Sequence, residues 1–191
     1  MSTLITNEPQ RIHPQRFIMW IAIGSIVMMF AGMTSAYIVK KNQGNWLAIE
    51  LPVVFWYSTA VILASSLTMY LATNAIKAGR LISYKSLITL TAILGVVFVT
   101  MQWLGFKDLE LRGIALIGPQ SNSASSFLFV ITGLHMLHVL GGVIALIVLF
   151  FRAFSVQEGQ ANPVSSQIIG TYWHFVDVLW IYLFIFYQLI A

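Results

Sequence analysis

Cysteine is absent from this chain. That excludes disulfides, iron–sulfur clusters and any thiolate-bound copper centre built from its own residues. Charge is nearly as scarce: Asp, Glu, Lys and Arg make up 8% of the 191 residues, where a soluble domain carries about 25%. Most of the chain therefore cannot face water. Only six residues are acidic and only five are proline. What fills the space is apolar, with 59% hydrophobic residues and a mean hydropathy of +0.85. An integral membrane protein is the class this composition allows. The formal charge of +4 comes from Lys and Arg scattered among short loops. No basic stripe forms, so nucleic acid is not an expected partner.

Five stretches reach the length of about 20 helical residues that crosses a bilayer: 17–39, 52–76, 86–104, 125–151 and 167–190. None shows the alternation of a barrel strand. The expected fold is an all-α bundle of five transmembrane helices forming one domain over 1–191. The first run is too long for a signal-peptide core and ends in Lys40 and Lys41, so it reads as a retained span. Pro9, Pro14, Pro52, Pro119 and Pro163 fall in tails, loops or first turns, where a missing N–H does least harm. The stretch "SNSASS" offers N-cap residues for the fourth span. The long connection "GFKDLELRGIALIGPQSNSA" reads as a segment lying along the outer membrane surface. Arg11, Arg16, Lys77, Arg80, Lys85 and Arg152 fall on the N-terminal side, against Lys40, Lys41, Lys107 and Arg112 on the other. Basic residues favour the cytoplasm, which places the N-terminus inside and the C-terminus outside.

The acidic residues Glu8, Glu50, Asp108, Glu110 and Glu158 lie in the tail or loops, and Asp177 alone lies deep in a span. His13 is in the tail, while His135, His138 and His174 are within spans four and five. An ionisable group at that depth costs a few kcal/mol, so each should face the bundle and find a partner. His135 and His138 are three residues apart, as are His174 and Asp177, so each pair shares a helix face. Counting along the two antiparallel spans puts His138 and Asp177 at similar depth. The spacing predicts a polar seam between spans four and five, with Asp177 accepting imidazole or indole N–H bonds. Gly133, Gly141 and Gly142 would permit close approach there. A metal or haem enzyme using His135, His138 and His174 is the rival reading, since Zn-type sites need three converging ligands. Structural pairing is preferred, because polar residues commonly fix helix register in membranes. A transporter ranks last: prolines avoid the mid-span positions that discontinuous helices require.

"TYWHFVDVLWIYLF" resembles the signature of subunit III of the haem–copper oxidases, the respiratory terminal oxidases. "SSFLFVITGLHMLHVLGG" resembles that family's penultimate span, and "FAGMTSAYIV" and "PVVFWYSTAVILASSLTMYLA" resemble segments of spans one and two. The motifs cover four of five spans in family order, and the chain is similar to the short five-helix bacterial type. His135, His138, Gly141, Gly142, Tyr172, Trp173, His174, Phe175, Asp177 and Trp180 occupy family motif positions. The resemblance implies a non-catalytic subunit with no haem or copper of its own. These centres would sit in catalytic subunit I, on which this chain would pack, with subunit II also present. It further implies electron transfer from cytochrome c to oxygen coupled to proton translocation, in a bacterial inner membrane. Phospholipid bound between helix groups, protection from turnover inactivation and sustained proton uptake are implied too. Subunit III of a quinol oxidase, a subunit III-like protein of a nitric oxide reductase, and membership of a respiratory supercomplex stay open.

One position departs from the family pattern. Many members carry a buried "Ser-Glu" pair early in the equivalent of span one, where this chain has Ser25–Ile26. Isoleucine can neither hold a proton nor accept a hydrogen bond. Any family function resting on that glutamate is not expected to operate through this position.

Overall fold

A computed structural model describes residues 14–42, 51–114, 123–155 and 163–190. These form five helices: α1 Pro14–Lys41, α2 Val54–Lys77, α3 Leu81–Leu111, α4 Ser123–Ser155 and α5 Pro163–Ile190. Each is long and apolar enough to cross a membrane. The proline placement is realised at Pro14 and Pro163, the first residues of α1 and α5. There the ring's fixed φ suits the helix and the absent N–H would have had no intrahelical partner.

The third helix is longer than its apolar core suggests. It begins five residues before the expected span and runs on through Gly105 to Leu111. The first part of "GFKDLELRGIALIGPQSNSA" is thus helix and not a surface strap; residues 115–122 lie outside the described residues. Amphipathicity explains the extension: Gly105 and Leu109 are buried four residues apart, while Asp108 and Arg112 face outward and pair at 2.7 Å. Such an exposed i,i+4 pair adds only a few tenths of a kcal/mol. The buried Leu109 contributes more.

Both tight helix ends use a glycine with positive φ. At the end of α2, Gly79 has φ 72°, with Gly79 N–H donating to Ile76 O and Arg80 N–H to Ala75 O. At the end of α3, Gly113 has φ 80°, with the equivalent bonds to Glu110 O and from Ile114 N–H to Leu109 O. These paired bonds satisfy carbonyls that a helix end would leave open. The Gly79 turn reverses the chain within three residues, so α2 and α3 form a tight antiparallel hairpin.

Helices α2, α3, α4 and α5 close a ring in which each packs on its sequence neighbour and α5 returns to α2. α1 packs outside the ring, and among the described helices it meets only α4 and α5. Its burial pattern agrees: only Ile23, Phe30, Thr34 and Tyr37 are buried, a single narrow seam. α1 runs parallel to α5 and is tied to it at three levels. Arg16 donates to Gln167 near the start of both helices, Tyr182 and Thr34 share a 2.9 Å bond, and Lys41 donates to Ile190 O at their ends. Between the two, α5 buries eleven residues. It packs against α1, α2 and α4.

Candidate functional site

The inner face of α5 presents two tryptophans seven residues apart, two turns of helix. Trp173 and Trp180 are both essentially fully buried. An indole N–H in a membrane interior must find an acceptor. Trp173 Nε1 donates to Ser65 Oγ at 3.1 Å, and Trp180 Nε1 donates to Thr59 Oγ1 at 2.9 Å. Both acceptors belong to α2, which runs antiparallel, so its descending hydroxyls meet the ascending indoles in register. Each hydroxyl then spends its own hydrogen on a backbone carbonyl, Ser65 on Thr91 O at 3.4 Å and Thr59 on Phe55 O at 2.7 Å. One hydroxyl thereby links α5, α2 and α3.

The Trp173 ring fills the centre of the four-helix ring because two glycines make room for it. A methyl added at Gly142 of α4 would lie 2.9 Å from Trp173 Cε3, and one at Gly95 of α3 would lie 3.0 Å from Cη2. The indole is held between two bare backbones. One level up, Trp180 stacks on His135 with ring centroids 5.3 Å apart and planes 26° apart. Phe98 and Phe55 close that layer with rings 5.5 and 5.7 Å from Trp180. A third level joins Tyr187 to Thr132 at 3.1 Å, with Tyr37 of α1 against Tyr187 at 6.1 Å.

The predicted seam residues are distributed differently from the expectation. His174 Nδ1 lies 2.7 Å from Ser66 Oγ of α2, and no α4 group engages it. The Ser66 hydroxyl also lies beside the Asp177 carboxyl, but neither Asp177 oxygen completes a hydrogen bond of normal geometry. The indoles and imidazoles expected to donate to Asp177 are thus engaged elsewhere. His138 Nδ1 donates to Leu134 O of its own helix at 2.7 Å. His135 is buried with both ring nitrogens unpartnered among the described residues, enclosed by Trp180, Phe98 and Phe30. The polar link that does join α4 and α5 at this level is Tyr172 OH donating to His138 O at 3.0 Å. Of the three α4 glycines, Gly142 allows the close approach, Gly141 has only Tyr172 OH at 3.9 Å, and Gly133 faces open space. Phe175 and Ile26 are half-buried at the edge of the core. Ile26 sits one turn before Phe30, whose ring edge meets both His135 and His138.

The three histidines therefore occupy three separate environments: an aromatic cage, an own-helix carbonyl and an α2 serine. Among the described residues no group of three His, Cys, Asp or Glu side chains is placed to hold a metal ion. The partners that sequence reasoning missed are Thr59 and Gly95. The signal for Thr59 lies in the spacing, with hydroxyls six residues apart on α2 opposite indoles seven apart on α5.

The family model for cytochrome c oxidase subunit III matches residues 44–190, covering α2 to α5. The chain belongs to the cytochrome c oxidase subunit III family. It is similar to a probable cytochrome c oxidase subunit 3 of Nocardia farcinica, 31% identical over 92% of this chain and 90% of the relative. A probable cytochrome c oxidase subunit 3 of Mycobacterium bovis is 32% identical over 95% and 92%. A cytochrome bo(3) ubiquinol oxidase subunit 3 of Buchnera aphidicola is 26% identical over 91% and 85%. Both aligned cytochrome oxidase relatives extend over α1 as well. The protein is subunit III of a haem–copper oxidase, a multi-pass membrane component of a multisubunit respiratory oxidoreductase. The subunit III family holds no redox centre.

Proposed function

We propose that this chain packs directly on catalytic subunit I of a bacterial cytochrome c oxidase, alongside subunit II, and stabilises it without taking part in electron transfer. The family match over α2 to α5 carries this reading. Cytochrome c is proposed as electron donor because the relatives near 30% identity bear the cytochrome c oxidase name. The electron donor site itself would lie on another subunit. The intramembrane residues fasten helices unequally: Tyr172, Trp173, His174 and Trp180 through hydrogen bonds, His138 through its carbonyl oxygen, His135 by stacking on Trp180 and Gly142 by admitting Trp173, while Gly141 only lines the contact and Asp177 lies beside the Ser66 hydroxyl. Haem and copper belong to the partner subunits. Arg16, Lys77, Arg80, Lys85 and Arg152 gather at one end of the bundle, which supports a cytoplasmic N-terminus in the bacterial inner membrane.

A bound phospholipid is proposed in the groove between α1 and α5. A cavity of about 230 Å³ at its basic end is lined by Arg16, Trp20, Gln167 and Thr171. Further along, a cavity of about 320 Å³ is lined by Val27, Phe30, Ala31, Phe175 and Tyr182. An anionic headgroup suits the first and an acyl chain the second.

The fastening role is tested at Asp177. Asp177→Leu should leave the haem spectrum of the assembled oxidase unchanged while weakening retention of this chain. The expected loss is at most about 1–2 kcal/mol, the worth of one interhelix hydrogen bond in model membranes, because the carboxyl lies beside Ser66 without completing a bond. Retention is read from subunit stoichiometry after graded detergent washing. Normal assembly with abolished oxygen reduction would instead make the carboxyl mechanistic.

A further inference from the structure

The Ser66–His174–Asp177 cluster lies at the outer edge where α2 meets α5, and its hydrogen bonding is incomplete. His174 stands about 17 Å along a helix of about 42 Å, so the ring is near mid-bilayer. It is half-buried, and its Nδ1 is taken by Ser66. Nε2 has no hydrogen bond among the described residues. Behind it, both oxygens of Asp177 lack a completed bond although the residue is only 2% exposed. Hydrocarbon can satisfy none of these atoms, and a polar group left against lipid is expensive.

The Ser66–His174 bond can run in either sense: Ser66 donates its hydroxyl hydrogen to Nδ1, or accepts from Nδ1–H. Nε2 is then a donor in the first case and an acceptor in the second, and is left open in both. What fits it is a group able to take either role, such as a hydroxyl or side-chain amide, arriving from outside this chain. The surrounding edge suits a packed helix: Leu63 and Tyr70 flank Ser66 at i−3 and i+4 and are 50% and 57% exposed. The α3–α4 face is different. Its groove of about 390 Å³ is lined by Ile93, Val96, Val97, Ile147, Phe150 and neighbours, a surface acyl chains can satisfy. His138 is also half-buried, but it is a single group bonded to its own helix and faced by Phe30 at 5.8 Å.

We infer that the α2–α5 edge around His174 is the docking face for a transmembrane helix of the oxidase's catalytic subunit, which exchanges a hydrogen bond with His174 Nε2 at mid-bilayer. This rests on the subunit reading above and adds the face and the chemistry of the contact. The test uses the whole oxidase, with a benzophenone photo-crosslinking side chain placed in turn at positions Leu63, Tyr70, Ile93 and Leu137. Irradiation should join this chain to the haem-bearing subunit from Leu63 and Tyr70, and give at most lipid adducts from Ile93 and Leu137. In parallel, His174→Leu should be stripped by detergent roughly tenfold more readily, and His174→Gln, whose amide both accepts and donates, should recover most of the loss. Adducts to the haem-bearing subunit from Ile93 or Leu137 in place of Leu63 and Tyr70 would overturn the docking face while leaving the subunit reading standing. So would unchanged retention of His174→Leu. Failure of the chain to co-purify with any haem-bearing subunit would instead remove the reading beneath it.

Discussion

Gly142→Leu should be among the most damaging single substitutions in this bundle. The first added carbon would meet Trp173 Cε3 at 2.9 Å and Cζ3 at 3.0 Å, distances a relaxed side chain does not tolerate. The indole has little room to retreat, because the Gly95 backbone backs its other edge so closely that a methyl there would lie 3.0 Å from Cη2. It is also tethered through Nε1 to Ser65. Relief therefore requires α4 to move away from α5, which would strain the bonds from Tyr172 to His138 O and from Tyr187 to Thr132. Overpacking of this kind costs about 1–3 kcal/mol, and a branched side chain at a closed site belongs at the upper end. Thermal inactivation of the purified assembly should shift down accordingly. Gly141→Ala is the internal control, since its methyl finds only Tyr172 OH at 3.9 Å and should change little. Shrinking the wedge should compensate: Gly142→Ala combined with Trp173→Phe should be less unstable than the two separate losses summed. Strict additivity would mean the two residues do not press on one another.

Trp173→Ala should produce a loss of similar size for the opposite reason. It empties the centre of the ring where α2, α3, α4 and α5 face one another, and it leaves Ser65 without its indole donor. Trp→Ala changes in soluble cores cost about 3–5 kcal/mol. Inside a membrane the packing part of that cost remains, because lipid cannot enter a closed ring and association there depends on van der Waals fit. Trp173→Phe should retain much of the packing and lose the hydrogen bond, a difference of about 1 kcal/mol. The ordering wild type, Phe, Ala in melting temperature checks this directly. Equal stability of Trp173→Ala and wild type would mean that the Trp173 ring does not hold the four helices together.

The difference between the sequence reading and the structure lies in which helices are neighbours. Four span boundaries were legible to within a few residues because apolar runs end at charges and prolines. The third was not, since Lys107, Asp108 and Glu110 interrupt the run although Gly105 and Leu109 keep one face buried. Periodicity showed that His174 and Asp177 share a face of α5, but it could not say which helix that face meets. Sequence adjacency and matched depth suggested α4. In the folded ring α4 receives Tyr172 and Tyr187, while the flank bearing His174 and Asp177 turns toward α2. The roughly 100° step from Trp173 to His174 is enough to separate a central wedge from an edge group. The glycine pair that admits Trp173 was half legible: Gly142 stood in a recognisable motif, whereas Gly95 sits on α3 with nothing in the surrounding sequence to mark it.

The central claim is that this chain fastens an oxidase together and performs no redox chemistry itself. Its most direct test is to purify the oxidase, strip this chain from it with detergent, and record the visible spectrum and the haem and copper content of both fractions. The account predicts that haem and copper stay wholly with the larger partner, with an unchanged spectrum, while the released chain is colourless and metal-free. Haem or stoichiometric metal travelling with the released chain would contradict it.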